Sequence, residues 1–329
     1  MGVGPSTASV VLNGSRSGTK VSEVTREAIL KAAQELNYRP NGLARSFRKS
    51  RTNMVAFFSG YEYIDAKDLY IAEILSGLQQ GCADRQLNLL LCSPYSGRTA
   101  DEIMAILADG HLDGMVITAR PEHPICSLLA GSHLPVVAIA DKIPNLPSVT
   151  VDAADGGRLQ ARHLHERGHR RVLYVPSDYP FPSVLERQES FFTECRILGI
   201  EVIEGAAVSG HVDPLKAEVA CRLVLKPDDL ALLRRDQSLT AVQVWDDTPA
   251  YRIATQLADE GFQIPERIAV VGYNGSVSAI EPRWKLSTVR APWREVGISA
   301  ISVLQSLIEG TSIPMETVLP VHFVHGSTT

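Results

Sequence analysis

The chain has 329 residues, 45% of them hydrophobic and 21% charged, with a net charge of −5 at pH 7. This composition predicts a globular protein with enough length for more than one core. No apolar run approaches the roughly 18 residues of a membrane span, and the first six residues lack the basic start and apolar stretch of a signal peptide. The sequence therefore predicts a cytoplasmic protein with no membrane partner.

Cysteine usage and charge give two further constraints. The five cysteines, odd in number and widely spaced, are interpreted as buried thiols, with neither disulfides nor a metal site expected. Residues 1–52 carry nine basic and three acidic side chains, a net +6, while the other 23 basic and 34 acidic side chains give −11. Such a basic head on an acidic body favours a head that meets a polyanion, although a solvated charge run is the ordinary alternative.

The first predicted helix starts at Gly4-Pro5 and stops at Asn13-Gly14. Small hydroxyl residues in its first turn are placed to reach phosphates and base edges, as in a helix-turn-helix reader. Its apolar side is predicted to hold Ala8, Val11 and Leu12, which leaves Ser6, Thr7, Ser9 and Val10 outward.

A second helix is predicted to begin at Ser22 as N-cap and to end before Tyr38-Arg39-Pro40. Its predicted buried residues are Ala28, Ile29, Ala32, Ala33 and Leu36.

A third, very short helix is predicted over residues 41–48. Leu43 and Phe47 stand four apart on one face, with arginines on the others. A helix of this length is marginal alone, so we expect it to form only against a partner. An apolar wedge flanked by arginines is typical of minor-groove binders, and Phe47 would be the wedge.

From Met54 onward, strands alternate with helices. The predicted strands are 54–58, 87–92, 114–117, 135–139, 149–152, 171–175, 241–244 and 268–272, and the predicted helices are 70–85, 100–109, 156–166, 187–198, 215–225 and 248–260. Continuous apolar strands between helices indicate parallel sheets covered on both faces. The predicted fold class is α/β, with two doubly wound subdomains, a small all-α head and a ligand cleft at the carboxyl ends of the strands.

Several motifs in the head resemble those of one known family. They are 6–14 (Ser-Thr-Ala-Ser-Val-Val-Leu-Asn-Gly), 21–26 (Val-Ser-Glu-Val-Thr-Arg), 36–41 (Leu-Asn-Tyr-Arg-Pro-Asn) and 43–46 (Leu-Ala-Arg-Ser). They resemble the DNA-binding head and hinge of the lactose-repressor and galactose-repressor (LacI/GalR) family of bacterial transcriptional regulators.

The resemblance implies that residues 5–13 form the second helix of a helix-turn-helix and lie in the major groove. It implies base contacts from Ser6 and Val10 and insertion of Phe47, often leucine in the family, at the operator centre. The remaining DNA-contact candidates are Thr7, Ser9, Asn13, Arg16, Asn41, Ala44 and Arg45.

Two departures from the family pattern bear on DNA binding. The family normally has another helix upstream, which is not in this sequence, and either a misassigned start or a truncated regulator would account for that. Val10 stands where the family often has a polar or basic base reader, so an operator preference is not carried over.

The resemblance continues to the carboxyl terminus. The segments 147–152, 163–172, 264–273, 286–290 and 326–328 are similar to the family's effector core, itself similar to periplasmic sugar-binding proteins. That core has three crossovers, here near 152, 287 and 317. The implied domains are a head (1–38), a hinge (39–52), an N-subdomain (53–152 plus 288–316) and a C-subdomain (153–287 plus 317–329).

By position, Arg187 corresponds to the family's effector-clamping arginine and Asp247 to its partner carboxylate. A guanidinium and a carboxylate across a cleft can hold sugar hydroxyls in fixed geometry. The alternative is that Arg187 lies on a helix surface and Asp247 caps the helix that starts at Thr248. Further effector candidates are Tyr70, Lys142, Ser183, Trp245 and Asn274.

Some of these candidates have ordinary alternatives. Trp245 could stack on a sugar or end its strand in the core, and Lys142 suits an anion but lies in a loop where lysines are usually solvated. The histidines His163, His165 and His169 make a poor metal site, since no carboxylate or cysteine completes a shell. No phosphate loop or nucleophile elbow is present, so we expect neither catalysis nor a cofactor.

The sequence therefore predicts a homodimer that binds a pseudo-palindromic operator under the control of a small-molecule effector, a carbohydrate or its derivative. Two alternatives remain at this stage. A sugar-binding receptor or transport component would share the body fold but need an export signal, and a sugar-metabolising enzyme would turn its ligand over.

Overall fold

A computed structural model describes residues 2–13, 21–38, 51–60, 64, 68–92, 97–178, 181–209, 224–276 and 283–329. The head contains α1 (Pro5–Asn13) and α2 (Glu23–Glu35), which pack on each other through buried Val11 and Ile29. Ser22 caps α2 as predicted, since its hydroxyl accepts from the Thr25 amide. Leu36, predicted to be buried, is exposed. Residues 41–48, the predicted hinge helix, lie outside the described residues.

The first subdomain is built on a six-stranded parallel sheet. Its elements up to the first crossover are β1 (Met54–Ser59), α3 (Leu69–Asp84), β2 (Asn88–Leu91), α4 (Ala100–Leu107), β3 (Gly114–Thr118), α5 (Pro124–Ala130), β4 (Val136–Ile139) and β5 (Ser148–Val151). The strand order is β11-β5-β4-β3-β1-β2, where β11 (Glu316–Leu319) returns from the end of the chain. The central strands are apolar throughout because helices cover both faces.

The second subdomain repeats this plan. It contains α6 (Ala153–Glu166), β6 (Arg171–Val175), α7 (Pro182–Leu198), β7 (Glu201–Glu204), α8 (Pro227–Arg235), β8 (Ala241–Val244), α9 (Asp247–Asp259), β9 (Ala269–Asn274) and β10 (Ser287–Arg290). The strand order is β12-β10-β9-β8-β6-β7, and β12 (His322–Val324) is antiparallel to β10. The predicted fold class, two doubly wound subdomains with a helical head, is confirmed.

The chain crosses between the two sheets three times. The first crossing follows β5 at Asp152. The second lies between β10 and α10 (Trp293–Ile308), and the third between β11 and β12. Residues 288–290 therefore belong to the second sheet and 317–319 to the first, so both later crossings come a few residues after the predicted boundaries. The predicted helix 215–225 falls mostly within 210–223, outside the described part of the chain.

Glycines allow one pair of helices in each subdomain to approach closely. In the first subdomain α3 and α10 cross at Gly77 and Gly297, where an added Cβ would collide with main-chain atoms of the opposite helix. In the second subdomain α6 and α7 cross at Gly157, whose added Cβ would collide with the Arg187 carbonyl oxygen. Backbone contact at these points sets the short distance between the two helices of each pair.

The carboxyl-terminal residues are hydrogen-bonded to strands of the second sheet. The Thr328 hydroxyl donates to the Val270 carbonyl (2.7 Å) and accepts from the Ser287 amide (2.9 Å). The Thr329 hydroxyl lies 2.8 Å from Nε2 of His163, whose ring stacks on Phe323 at 4.0 Å between centroids. We call residues 322–329 the carboxyl-terminal clasp.

The clasp predicts a pH-dependent stability. Burial, with smaller repulsion from His325, Arg167 and His169, lowers the pKa of His163 from 6.5 to about 4. A histidine whose pKa is lower in the folded state stabilises the fold fully above pH 6.5 and loses this contribution as the pH falls towards 4. At about 1.4 kcal/mol per unit, up to roughly 3 kcal/mol of unfolding free energy is at stake.

Urea unfolding at pH 7.5, 5.5 and 4.5 measures this loss. In the His163→Asn variant, which cannot become charged, the decline between pH 7.5 and 4.5 is expected to be shallower than in the wild type. Replacing the exposed His322 in the same way is the matched control and is expected to leave the slope unchanged. Equal slopes in wild type and His163→Asn would contradict the prediction.

Candidate effector site

Arg187, on the second turn of α7, is held from two sides. Only 6% of the residue is exposed. Its Nη2 donates to the Trp245 carbonyl at 2.7 Å, and its guanidinium carbon lies 3.5 Å from the centroid of the Tyr273 ring. A carbonyl at one edge and an aromatic face beneath fix the plane of the guanidinium. Arg187 is therefore not the helix-surface arginine of the alternative interpretation.

Two adjacent glycines at the start of α6 make room for this stack. A Cβ on Gly156 would lie 2.6 Å from the Tyr273 ring, and one on Gly157 would meet the backbone of Arg187. Neither position therefore has room for a Cβ atom. The Gly156-Gly157 pair thus lets α6 pack closely against both the Tyr273 ring and the backbone of α7.

Asp246 and Asp247 are neighbours with different surroundings. Asp246 is the N-cap of α9: its Oδ1 accepts from the Thr248 amide (2.7 Å) and its Oδ2 from Nδ2 of Asn274 (2.6 Å). Burial and then the Asp68 carboxylate raise the pKa of Asp246 to about 6, while Thr248 and the Arg187 guanidinium oppose this rise. Asp246 is therefore the carboxylate that shares the electrostatic environment of Arg187.

Asp247, the predicted partner of Arg187, turns into the second subdomain instead. Its Oδ1 accepts from the Thr288 hydroxyl (2.7 Å) and its Oδ2 from the Ser276 amide (3.2 Å). Burial, followed by repulsion from Asp246, raises the pKa of Asp247 well above its ordinary value. The Arg187 guanidinium acts on the pKa of Asp246, whereas the groups acting on Asp247 are Asp246, Thr288 and the Gly275-Ser276 backbone, so Asp247 takes a structural position and the capping role falls to Asp246.

A hydrogen bond from the first subdomain reaches Ser183. Oδ1 of Asp141, which follows β4, accepts from the Ser183 amide at 2.8 Å, at the start of α7. Burial raises the pKa of Asp141, with Ser183 and then Arg187 acting against it. The bond joins the two subdomains beside the buried guanidinium, and it places Ser183 at the cleft.

Asn274 and Tyr70, both predicted from the sequence, meet through Trp293. Nε1 of Trp293 donates to Oδ1 of Asn274 at 2.9 Å, and the Tyr70 ring packs edge-on against the indole at 4.7 Å between centroids. Asn274 has a backbone φ of +108°, in the region that favours glycine. Strained backbone of this kind concentrates at functional sites.

Two of the candidate effector residues, Trp245 and Lys142, do not direct their side chains toward Arg187 and Asp246. The Trp245 indole packs in the core of the second subdomain and donates to the Val208 carbonyl (3.1 Å), so Trp245 offers the site only its carbonyl group. The Lys142 ammonium pairs with Glu316 at 2.6 Å, and its side chain is 60% exposed. A surface ion pair accounts for it.

Lys142→Ala provides a test of this assignment. Because exposed ion pairs contribute roughly 0–1 kcal/mol, we expect a change in unfolding free energy below about 1 kcal/mol and no change in effector affinity. Thermal unfolding and effector titration measure the two quantities. A large loss of effector affinity in Lys142→Ala would show that Lys142 contacts the effector.

In the head, Ser6 is exposed and Thr7, Ser9 and Val10 are half-buried on α1. Their DNA contacts remain predictions. The side chain of Asn13 and the candidates Arg16, Asn41, Ala44, Arg45 and Phe47 lie outside what the structure describes. Sequence reasoning missed five residues that contact Arg187 or Asn274 or act electrostatically on this cluster: Asp68, Asp141, Asp246, Tyr273 and Trp293.

Within the described ranges, no three His, Cys, Asp or Glu side chains are grouped so that they could hold a metal ion. Nor does any helix there have the length and apolar character needed to cross a membrane.

Residues 161–329 match the family described as periplasmic binding protein-like domain, and residues 1–41 match the bacterial regulatory proteins of the lacI family. The chain belongs to the LacI family of regulators. Among curated relatives, the transcriptional regulator CelR of Thermobifida fusca is 28% identical over 98% of this chain and 94% of its own length. The transcriptional repressor PurR of Vibrio atlanticus (strain LGP32) is 26% identical over 94% and 89%.

Solved structures agree with this assignment. A CelR–cellobiose complex, 26% identical, superposes with a TM-score of 0.70 and covers 100% of this chain and 97% of its own. A lac repressor dimer bound to operator and the anti-inducer ONPF has a TM-score of 0.77 over 99% of this chain and 96% of its own; at 20% identity it supports the fold. This LacI-family chain thus joins a DNA-binding head to an α/β body, and its relatives are transcriptional regulators, not enzymes.

Proposed function

We propose that this LacI-family regulator is a repressor whose operator affinity is set by a small molecule bound between Arg187 and Asp246. The observation that carries the proposal is the fixed guanidinium of Arg187, which shares a buried environment with Asp246 where the strands of the two sheets end. The Arg187 guanidinium donates hydrogen bonds and the Asp246 carboxylate accepts them, which suits a molecule with adjacent hydroxyl groups.

The charge of the site narrows the effector class. Three carboxylates (Asp68, Asp141 and Asp246) lie in the electrostatic range of the site, against the guanidinium groups of Arg187 and Arg120. A phosphate-bearing effector would be repelled there. A neutral carbohydrate or a similar polyhydroxylated molecule is the better match, and the CelR relative crystallised with cellobiose is consistent with it.

The coupling to DNA follows from the hinge. Effector binding would change the angle between the subdomains and so the spacing of two hinge segments in a homodimer. Residues 41–48 would then be ordered or released on a pseudo-palindromic operator, with Phe47 as the wedge in the minor groove. Because a chromosomal operator is its partner, the protein would work in the cytoplasm. The lacI-family match of residues 1–41 favours this function over a transport receptor.

The test combines two assays on the purified full chain. A thermal-shift panel of sugars, sugar phosphates and purines identifies binders, and gel shifts with fragments from the gene's own chromosomal neighbourhood at low salt identify the operator. We expect a fragment whose retardation changes with a neutral sugar. Failure of every fragment to bind, with or without the panel compounds, would contradict the proposal.

A further inference from the structure

We propose that Trp293 is a positioning residue whose indole fixes the amide of Asn274, so that Asn274 presents its N–H groups to the cleft carboxylate of Asp246. We call these three side chains the Trp293 relay. The inference rests on the proposed function, because it concerns how the effector-facing carboxylate is kept in its accepting form.

Hydrogen-bond chemistry dictates the orientation of the amide. An indole N–H can only donate, whereas an asparagine side chain offers a carbonyl oxygen at one end and two N–H donors at the other. With Nε1 of Trp293 2.9 Å from Oδ1, the carbonyl end of Asn274 is occupied. Nδ2 must then face Oδ2 of Asp246, which lies 2.6 Å away. All three side chains belong to residues that are at least nine-tenths buried, so a flip would leave polar groups without water as a substitute.

The backbone also holds Asn274 in place. Its φ of +108° is one that a side chain rarely adopts, and it occurs where β9 ends and the chain turns through Gly275. Asparagine tolerates positive φ better than most residues. The strained turn directs the amide into the gap between Asp246 and the indole.

The relay spans the two subdomains. Asp246 and Asn274 lie at strand ends of the second sheet, whereas Trp293 begins α10, packs in the core of the first subdomain and contacts Tyr70 on α3. A change in the angle between the subdomains would shift the indole relative to Asn274. The hydrogen bonds received by Asp246 are thereby linked to the subdomain angle.

Fixed donors determine which form of Asp246 is favoured. The N–H groups of Thr248 and Asn274 both stabilise the carboxylate, as does the Arg187 guanidinium, whereas burial and the Asp68 carboxylate oppose it. An amide free to turn could instead offer its carbonyl oxygen to a protonated Asp246. Trp293 removes that option and keeps Asp246 as an acceptor for an O–H or N–H of the effector.

The test needs neither effector nor DNA. Trp293→Phe keeps an aromatic ring against Tyr70 but removes the N–H donor. Calorimetric melting temperatures of wild type and variant are compared from pH 4.5 to 8. Because the freed amide can turn to a protonated Asp246 only at low pH, we expect the deficit of the variant to grow as the pH rises through about 6. The apparent pKa of Asp246 should rise by roughly half a unit to one unit, as expected for one hydrogen bond.

Two comparisons separate positioning from packing. Trp284→Phe removes an indole away from the cleft and should give a deficit that does not vary with pH. In an Asn274→Gly background, which suits the positive φ, Trp293→Phe should also lose its pH dependence. A Trp293→Phe deficit that is the same at all pH values, or one that stays pH-dependent without Asn274, would overturn the inference.

Asn274→Asp is the second variant, should Trp293→Phe fail to fold. A second carboxylate facing Asp246 should lower the melting temperature at pH 7.5 and restore much of it at pH 5, and wild-type stability at pH 7.5 would overturn the inference. If these profiles appear but no DNA fragment is bound, the proposed function fails and the relay stands. If DNA and sugar are bound but the profiles are flat, the relay alone fails.

Discussion

Replacing Arg187 by alanine is expected to remove effector binding while operator binding remains. The guanidinium is buried and already fixed by the Trp245 carbonyl and the Tyr273 ring, so its remaining donors are available without further ordering. Losing one partner of a buried charged contact costs about 2–5 kcal/mol, which corresponds to roughly 30- to 4,000-fold in affinity. Lysine should not restore binding, because an ammonium lacks the planar fork and the stacking surface.

Calorimetric titration with the sugar found in the panel measures the affinity, and a gel shift measures operator binding in parallel. Arg158→Ala, which removes a surface arginine paired with Asp155 on α6, is the matched control and should leave both unchanged. An Arg187→Ala protein that still binds the sugar within about threefold of wild type would exclude Arg187 as the clamp.

Gly157→Val is expected to be strongly destabilising. The added side chain would collide with the Arg187 carbonyl oxygen and lie 2.8 Å from the Phe191 amide nitrogen. Backbone atoms cannot rotate away as a side chain can, so α6 and α7 must separate and the packing between them is lost. We expect a loss of about 3 kcal/mol in unfolding free energy, with Gly157→Ala intermediate.

Chemical unfolding measures this loss, and Glu166→Val on the exposed end of α6 controls for the lower helix propensity of valine. The control should change stability by no more than about 0.5 kcal/mol. Because the backbone of Arg187 would be displaced, Gly157→Val should also weaken effector binding in any folded fraction. A variant as stable as the control would show that the two helices can separate freely.

Local patterns predicted most of the body. Buried parallel strands such as β1 and β3 are apolar runs between helices. Such runs, and the spacing of apolar residues along helices, can be recognised without tertiary information. α10 was missed although Trp293, Val296, Gly297, Ala300, Ile301 and Leu304 follow helical spacing and are all buried in it.

The site was harder to predict because it depends on which side of a strand end each side chain takes. Asp246 and Asp247 are adjacent and chemically identical, and only the turn from β8 into α9 directs the first to Asn274 and the second to Thr288. For Trp245 the sequence left a sugar-stacking position and a core position open, and the indole takes the core position. Lys142 pairs with Glu316, a residue 174 positions away, and sequence proximity gives no hint of that.

The order of the strands has a consequence for how the protein is made. The first sheet takes β11 and the second takes β12 from the last 14 residues of the chain, and α10 of the first subdomain is synthesised after nearly the whole of the second. Neither lobe can complete its sheet during translation until those residues have left the ribosome. The head precedes the body in the chain, so it leaves the ribosome before the body that is to control it has completed either sheet.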